Sequence, residues 1–113
     1  MERAGLRDRI DLRIAPALQT LRALPAEADI DLVFIDADKP GYTDYWNELV
    51  PRVRRGGILL ADNVLWSGDI VDESVTGENV AALRAFNDAV SADSRVETVV
   101  LTAFDGLTIA RKL

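Results

Sequence analysis

Polar and apolar positions along this chain change period from segment to segment. Arg9-Ile10-Asp11-Leu12-Arg13-Ile14 alternates residue by residue, the two-residue period of a strand. After Pro16, leucines at 18, 21 and 24 recur at helical spacing and predict a helix over 17–24. Ile30-Asp31-Leu32-Val33-Phe34-Ile35 then forms an apolar run broken by one aspartate, the pattern of a strand covered on both faces. Tyr42, Tyr45, Trp46, Leu49 and Val50 share one side of a helix predicted from about Gly41 to Val53. Arg54-Arg55 suit the dipole near its end, and Gly56-Gly57 stops it. The second apolar run, Gly56-Gly57-Ile58-Leu59-Leu60-Ala61, predicts a second buried strand. A polar loop with Gly68 and Gly77 leads to a helix from about Glu78 to Val90, carried by Val80, Leu83, Phe86 and Val90. Finally, the strand-like runs 95–103 and 107–111 are separated by Phe104-Asp105-Gly106, and Asp-Gly between such runs signals a hairpin.

Alternating strands and helices followed by a hairpin predict an α/β fold with a mostly parallel sheet that ends in an antiparallel pair. The chain has 113 residues, 49% hydrophobic and 28% charged, which suits one domain over 1–113 with its own core. Nineteen Asp and Glu against 13 Lys and Arg give a net charge of −6, the wrong sign for a nucleic-acid surface. Without cysteine there is no disulfide framework or thiolate chemistry. Without histidine, proton transfer falls to Lys, Asp, Glu or Tyr. The opening Met1-Glu2-Arg3-Ala4-Gly5-Leu6-Arg7 carries no apolar signal core and no stretch reaches the length of a membrane span, so the expectation is a cytoplasmic protein without a membrane partner.

Two acidic clusters, Asp36-Ala37-Asp38-Lys39 and Asp62-Asn63, each close one of the buried runs. Parallel α/β sheets bind ligands at the carboxyl ends of their strands, so these oxygens and one lysine should converge at one edge. Carboxylates and an amide oxygen suit a hard divalent cation, Mg²⁺, Mn²⁺ or Ca²⁺. Each residue also has a plainer role: Asp36 or Asp38 as a helix cap, Asp62-Asn63 as a turn, Lys39 as a solvated lysine, Trp66 as a lid on the core. Tyr42, Tyr45 and Trp46 read as helix core or a subunit contact.

The string Asp31-Leu32-Val33-Phe34-Ile35-Asp36-Ala37-Asp38-Lys39 with Tyr42, then Gly56-Gly57, Asp62-Asn63-Val64-Leu65-Trp66-Ser67-Gly68, Phe86-Asn87 and Asp105-Gly106-Leu107-Thr108-Ile109-Ala110 resembles the cation-dependent O-methyltransferases of the caffeoyl-CoA and catechol type. The resemblance runs over nearly the whole chain. It implies a Rossmann-like methyltransferase fold, S-adenosylmethionine as methyl donor, and a catalytic cation held by Asp36, Asp62 and Asn63. It further implies Lys39 as the base, Asp38 beside the cofactor, and Trp66 and Ser67 flanking a small catechol-like or acyl-CoA acceptor. Two adjacent hydroxyls can chelate such a cation, which favours the phenolate; Lys39 either removes the proton or, protonated, positions the phenolate.

By the same resemblance the chain corresponds to the carboxyl-terminal half of the family fold, beginning near Ala4-Gly5-Leu6, without the first two strands and the glycine-rich loop. The 30–35 strand should then lie at an exposed edge with an apolar face, completed by a homodimer or by an amino-terminal half. A non-catalytic remnant or interaction module is an alternative. A receiver-like domain phosphorylated on Asp36 is another, although a receiver closes with a helix.

Overall fold

A computed structural model describes residues 5–113; Ala4 and the residues before it lie outside the described part. A four-stranded sheet has the order β1-β2-β4-β3, where β1 is Ile30–Ile35, β2 Val53–Asp62, β3 Val96–Leu101 and β4 Leu107–Lys112. β1 and β2 run parallel, whereas β2–β4 and β3–β4 are antiparallel. The sheet is therefore mixed and not mostly parallel. Only the β1-to-β2 step contains a helical crossover between parallel neighbours; the terminal hairpin inserts β4 next to β2 and makes the remaining pairings antiparallel. The hairpin itself forms where Asp105-Gly106 predicts it, with Leu101 opposite Leu107.

Three helices accompany the sheet: α1 (Ala17–Arg22), α2 (Tyr42–Leu49) and α3 (Glu78–Ser91). Tyr42, Tyr45, Trp46 and Leu49 of α2 and Val80, Leu83, Phe86 and Val90 of α3 are all buried, as their spacing predicts. Phe86 meets Tyr42 and Trp46 edge-on, with ring centroids 5.3 and 5.7 Å apart. These rings pack with Val33, Ile35, Leu59, Ala61 and Ala110, so the core lies between α2, α3 and one face of the sheet. β1 is an edge strand, and Leu32 and Phe34 on its other face are exposed.

Two expected elements differ. Residues 9–14 do not form a strand: a 3-10 turn covers Arg7–Arg9, Ile10 after it is extended, and the segment joins no sheet among the described residues, with Ile14 91% exposed. Alternation supplies a strand only where another strand accepts its backbone bonds, and among the described residues none pairs with this segment. The second helix does not continue to Val53. Pro51 has no N–H to continue the helical ladder, a 3-10 turn over Val50–Arg52 follows, and β2 begins at Val53. Arg52, not Arg54 or Arg55, is the cation at the helix end, donating to the Glu48 carbonyl (2.6 Å) and carboxylate (3.0 Å). Arg54 lies in β2 and pairs with Asp31 across the strands. Gly56-Gly57 does not stop the helix but absorbs a register break, since Ile30 faces Val53 while Leu32 faces Ile58. A Cβ on Gly57 would lie 2.5 Å from Val53 Cγ1 and 3.0 Å from the Asp31 carbonyl, so the strands close only with glycine there.

Candidate active site

The parallel register explains why the acidic clusters meet. Ile35 faces Ala61, so the next residues, Asp36 just past β1 and Asp62 at the last position of β2, stand at adjacent carboxyl ends of the two strands. After Asp36 the chain turns through Ala37-Asp38 into a 3-10 turn, Lys39–Gly41, that places Lys39 under the strand ends. Beyond Asp62 the backbone enters left-handed conformation at Asn63 (φ 62°), which asparagine tolerates, and again at Trp66 (49°) and Ser67 (56°). Such clustering of uncommon backbone is typical of ligand-binding loops.

Lys39 is the hub. Only 8% exposed, its ammonium donates to Tyr42 Oη at 2.8 Å, Asn63 Oδ1 at 3.0 Å, the Ala37 carbonyl at 3.1 Å and Asp36 Oδ1 at 3.5 Å. It also stands 4.7 Å from the Tyr42 ring centroid and 5.8 Å from that of Trp66. A buried ammonium requires this many acceptors, and the plainer role as a solvated lysine is thereby removed. Tyr42 donates its hydroxyl hydrogen toward the carbonyls of Asp62 (2.9 Å) and Ile35 (3.3 Å), tying both strand ends to Lys39. Burial raises the Tyr42 phenol pKa, against the opposing pull of Lys39, and so keeps it a neutral donor.

Asp62 is joined less directly: its carboxylate accepts the Asn63 backbone N–H at 2.8 Å. Asp38 faces another way. Its carboxylate accepts from the Tyr45 hydroxyl, and that bond, with burial behind it, pushes the Tyr45 pKa up to about 12. Trp66 is half-buried against the core and Ser67 is exposed, donating to Asp105 Oδ1 at 3.1 Å. A cleft of about 240 Å³ borders Asp36 and Ala37, lined by Phe34, Tyr45 and Leu21. A second, of about 330 Å³, lies on the far side of the loop between Trp66, Asp69 and the start of α3.

Two carboxylates and an amide are donors that suit a hard divalent cation. Among the described residues no three or more His, Cys, Asp or Glu gather as a metal-holding group, so a cation here would depend on the Asn63 amide and on outside oxygens. Three participants were not legible as such in the sequence: the Tyr42 hydroxyl, Tyr45 and Asp105. Lys39-x-x-Tyr42 carries a signal, one helical turn. Asp105 carries none beyond its turn, because its approach to Asn63 follows from the pairing of Asp62 with Leu107.

The fold is that of a Rossmann-like methyltransferase. An O-methyltransferase from Bacillus cereus solved with SAH superposes with a TM-score of 0.86 at 30% identity, over 99% of this chain and 54% of that one. Podospora anserina methyltransferase PaMTH1, also SAH-bound, gives 0.84 at 31% identity, over 99% of this chain and 53% of that one. A family model described as O-methyltransferase matches residues 1–113, and the chain belongs to that family. Caffeoyl-CoA O-methyltransferase 1 of Zea mays is 38% identical over 123 residues, which cover 100% of this chain and 48% of the relative. The chain thus spans about half the length of the curated relatives it matches. A receiver-like fold is not favoured, since the O-methyltransferase family model matches residues 1–113. Among the described residues no helix is long and apolar enough to cross a membrane.

Proposed function

We propose that this chain provides the acceptor side of an S-adenosylmethionine-dependent O-methyltransferase acting on a catechol-like or caffeoyl-type hydroxyl. The observation that carries the proposal is the convergence of Asp36, Asn63 and the buried Lys39 ammonium at the ends of two parallel strands. Asp36, Asp62 and Asn63 would hold a divalent cation, which when bound lowers the pKa of an acceptor hydroxyl. S-adenosylmethionine, suggested by the SAH-bound neighbours, would supply the methyl group.

The chain's own residues then have defined tasks. Lys39 stands within reach of Asn63 and Asp36 and either, as the neutral amine, takes the hydroxyl proton or, as an ammonium, holds the phenolate by a charge-assisted bond. Tyr42 keeps the ammonium in place from below. Trp66 offers an aromatic wall for the acceptor ring, with Ser67 beside it. Asp38, beside the 240 Å³ cleft through Tyr45, is the contact proposed for the methyl donor. Since the relatives are about twice as long, the methyl-donor site is completed by an amino-terminal half or by self-association.

The test is a titration of the whole chain with Mn²⁺ followed by paramagnetic resonance, repeated with Asp36→Asn. It is paired with calorimetry of S-adenosylmethionine binding and transfer of a labelled methyl group to a catechol panel. Expected is saturable Mn²⁺ binding weakened at least about tenfold in Asp36→Asn, no less than for loss of a partner that only orients a ligand. A folded chain that ignores Mn²⁺ overturns the cation site. Methyl transfer that is unchanged in Asp36→Asn overturns the role of this edge.

A further inference from the structure

Asp105 sits in the hairpin turn, 42 residues beyond Asn63, yet both of its carboxylate oxygens point into the candidate site. Oδ2 accepts from Asn63 Nδ2 at 3.2 Å and Oδ1 from Ser67 Oγ at 3.1 Å. The main chains are joined as well: Leu65 N–H donates to the Asp105 carbonyl at 2.7 Å and Val64 N–H to the Gly106 carbonyl at 3.3 Å. Gly106 is held at φ 84°, and a Cβ there would lie 2.4 Å from Leu65 Cγ, so the turn and the loop are pressed together.

We infer that Asp105 is a positioning residue that fixes which end of the Asn63 amide faces the site. The inference rests on the cation site proposed above. An asparagine amide has an oxygen and a nitrogen of nearly equal shape, and its orientation follows from its partners. Here both partners are unambiguous. Asp105 accepts only, so the amide nitrogen must face it; Lys39 donates only, so the amide oxygen must face Lys39 and the site. Without Asp105 the amide keeps only its bond to Lys39, and with its nitrogen unanchored the oxygen is no longer held from behind for a cation. The same carboxylate holds Ser67, so the ligand Asn63 and the loop bearing Trp66 share one anchor supplied by the distant hairpin.

The probe is Mn²⁺ binding to the whole chain by paramagnetic resonance, compared for wild type, Asp105→Ser and Asp105→Asn. Serine keeps a turn-favouring residue but is too short to reach Asn63. Asp105→Ser should bind roughly 10- to 100-fold more weakly, the usual effect of removing a partner that orients a ligand. Asp105→Asn retains an oxygen for the Asn63 amide and should restore most of the affinity, a rescue that a purely structural role would not require. Equal affinity in Asp105→Ser overturns the inference. Loss of binding already in wild type overturns the cation site itself. A measurement on wild type alone covers the case in which the serine variant fails to fold. The Asn63 side-chain amide protons should give two resolved, slowly exchanging resonances, and averaged, fast-exchanging ones overturn the inference.

Discussion

Tyr42→Phe isolates one hydroxyl at the centre of the site. The ring is fully buried and its edge-on contact with Phe86 survives the substitution, so little packing is lost. What disappears is an acceptor for the Lys39 ammonium at 2.8 Å and a donor to the Asp62 carbonyl at 2.9 Å. A bond to a charged group contributes about 1.5–3 kcal/mol. The lower end applies here, because three acceptors at 3.0, 3.1 and 3.5 Å remain for the three ammonium hydrogens. The half-buried Asp62 carbonyl adds about 1 kcal/mol for its lost donor. The sum is about 2–3 kcal/mol, equivalent to a fall in Tm of roughly 8–12 °C for a domain near this size. Circular dichroism melts and urea unfolding of both proteins test it, with the urea slope expected to stay constant. A double cycle with Lys39→Met should return a coupling of about 1–2 kcal/mol. A fall in Tm below about 3 °C, or no coupling, would refute the account of Lys39 as a buried cation held by Tyr42.

Two further outcomes concern pH. Arg95 and the Trp46 indole N–H hold the Asp93 carboxylate well below the usual range, so its contribution to stability is present above about pH 4 and is lost as pH falls further. Asp93→Asn should flatten the acid decline of the urea midpoint between about pH 5 and about pH 2 while lowering neutral-pH stability by about 1–2 kcal/mol; an unchanged acid slope contradicts this. The chain's two tyrosines, Tyr45 through its bond to Asp38 and Tyr42 through burial, both hold their protons more tightly than usual. Tyr45 therefore stabilises the fold fully below the ordinary tyrosine value of about 10, and that contribution is lost as pH rises toward about 12. Tyrosinate absorbance should stay flat through about pH 10 in the folded chain; a rise there with intact circular dichroism would contradict the assignment.

Local periodicity was sufficient for most elements, because burial of one face leaves a record in the spacing of residues on that face. Val80, Leu83, Phe86 and Val90 are buried, and so are Tyr42, Tyr45, Trp46 and Leu49. The failures occurred where a partner decides the conformation. The alternating 9–14 segment pairs with no strand among the described residues, and Arg54-Arg55 belong to a strand because Pro51 ends the helix sooner than the glycines do.

For the site, the residue types and their places at strand ends were written in the chain itself: Asp36, Lys39, Asp62 and Asn63 each follow an apolar run, and a parallel pair must bring such ends together. Tertiary structure alone decided how they face one another. The register of Ile35 with Ala61 set Asp36 and Asp62 at adjacent strand ends, and helix packing buried Lys39 and turned Tyr42 from core residue to site residue. The hairpin brought Asp105 across 42 residues to Asn63. Spacing along a chain encodes which face of its own element a side chain takes; contacts between elements depend on the pairing and packing of segments remote in sequence, which no local pattern carries.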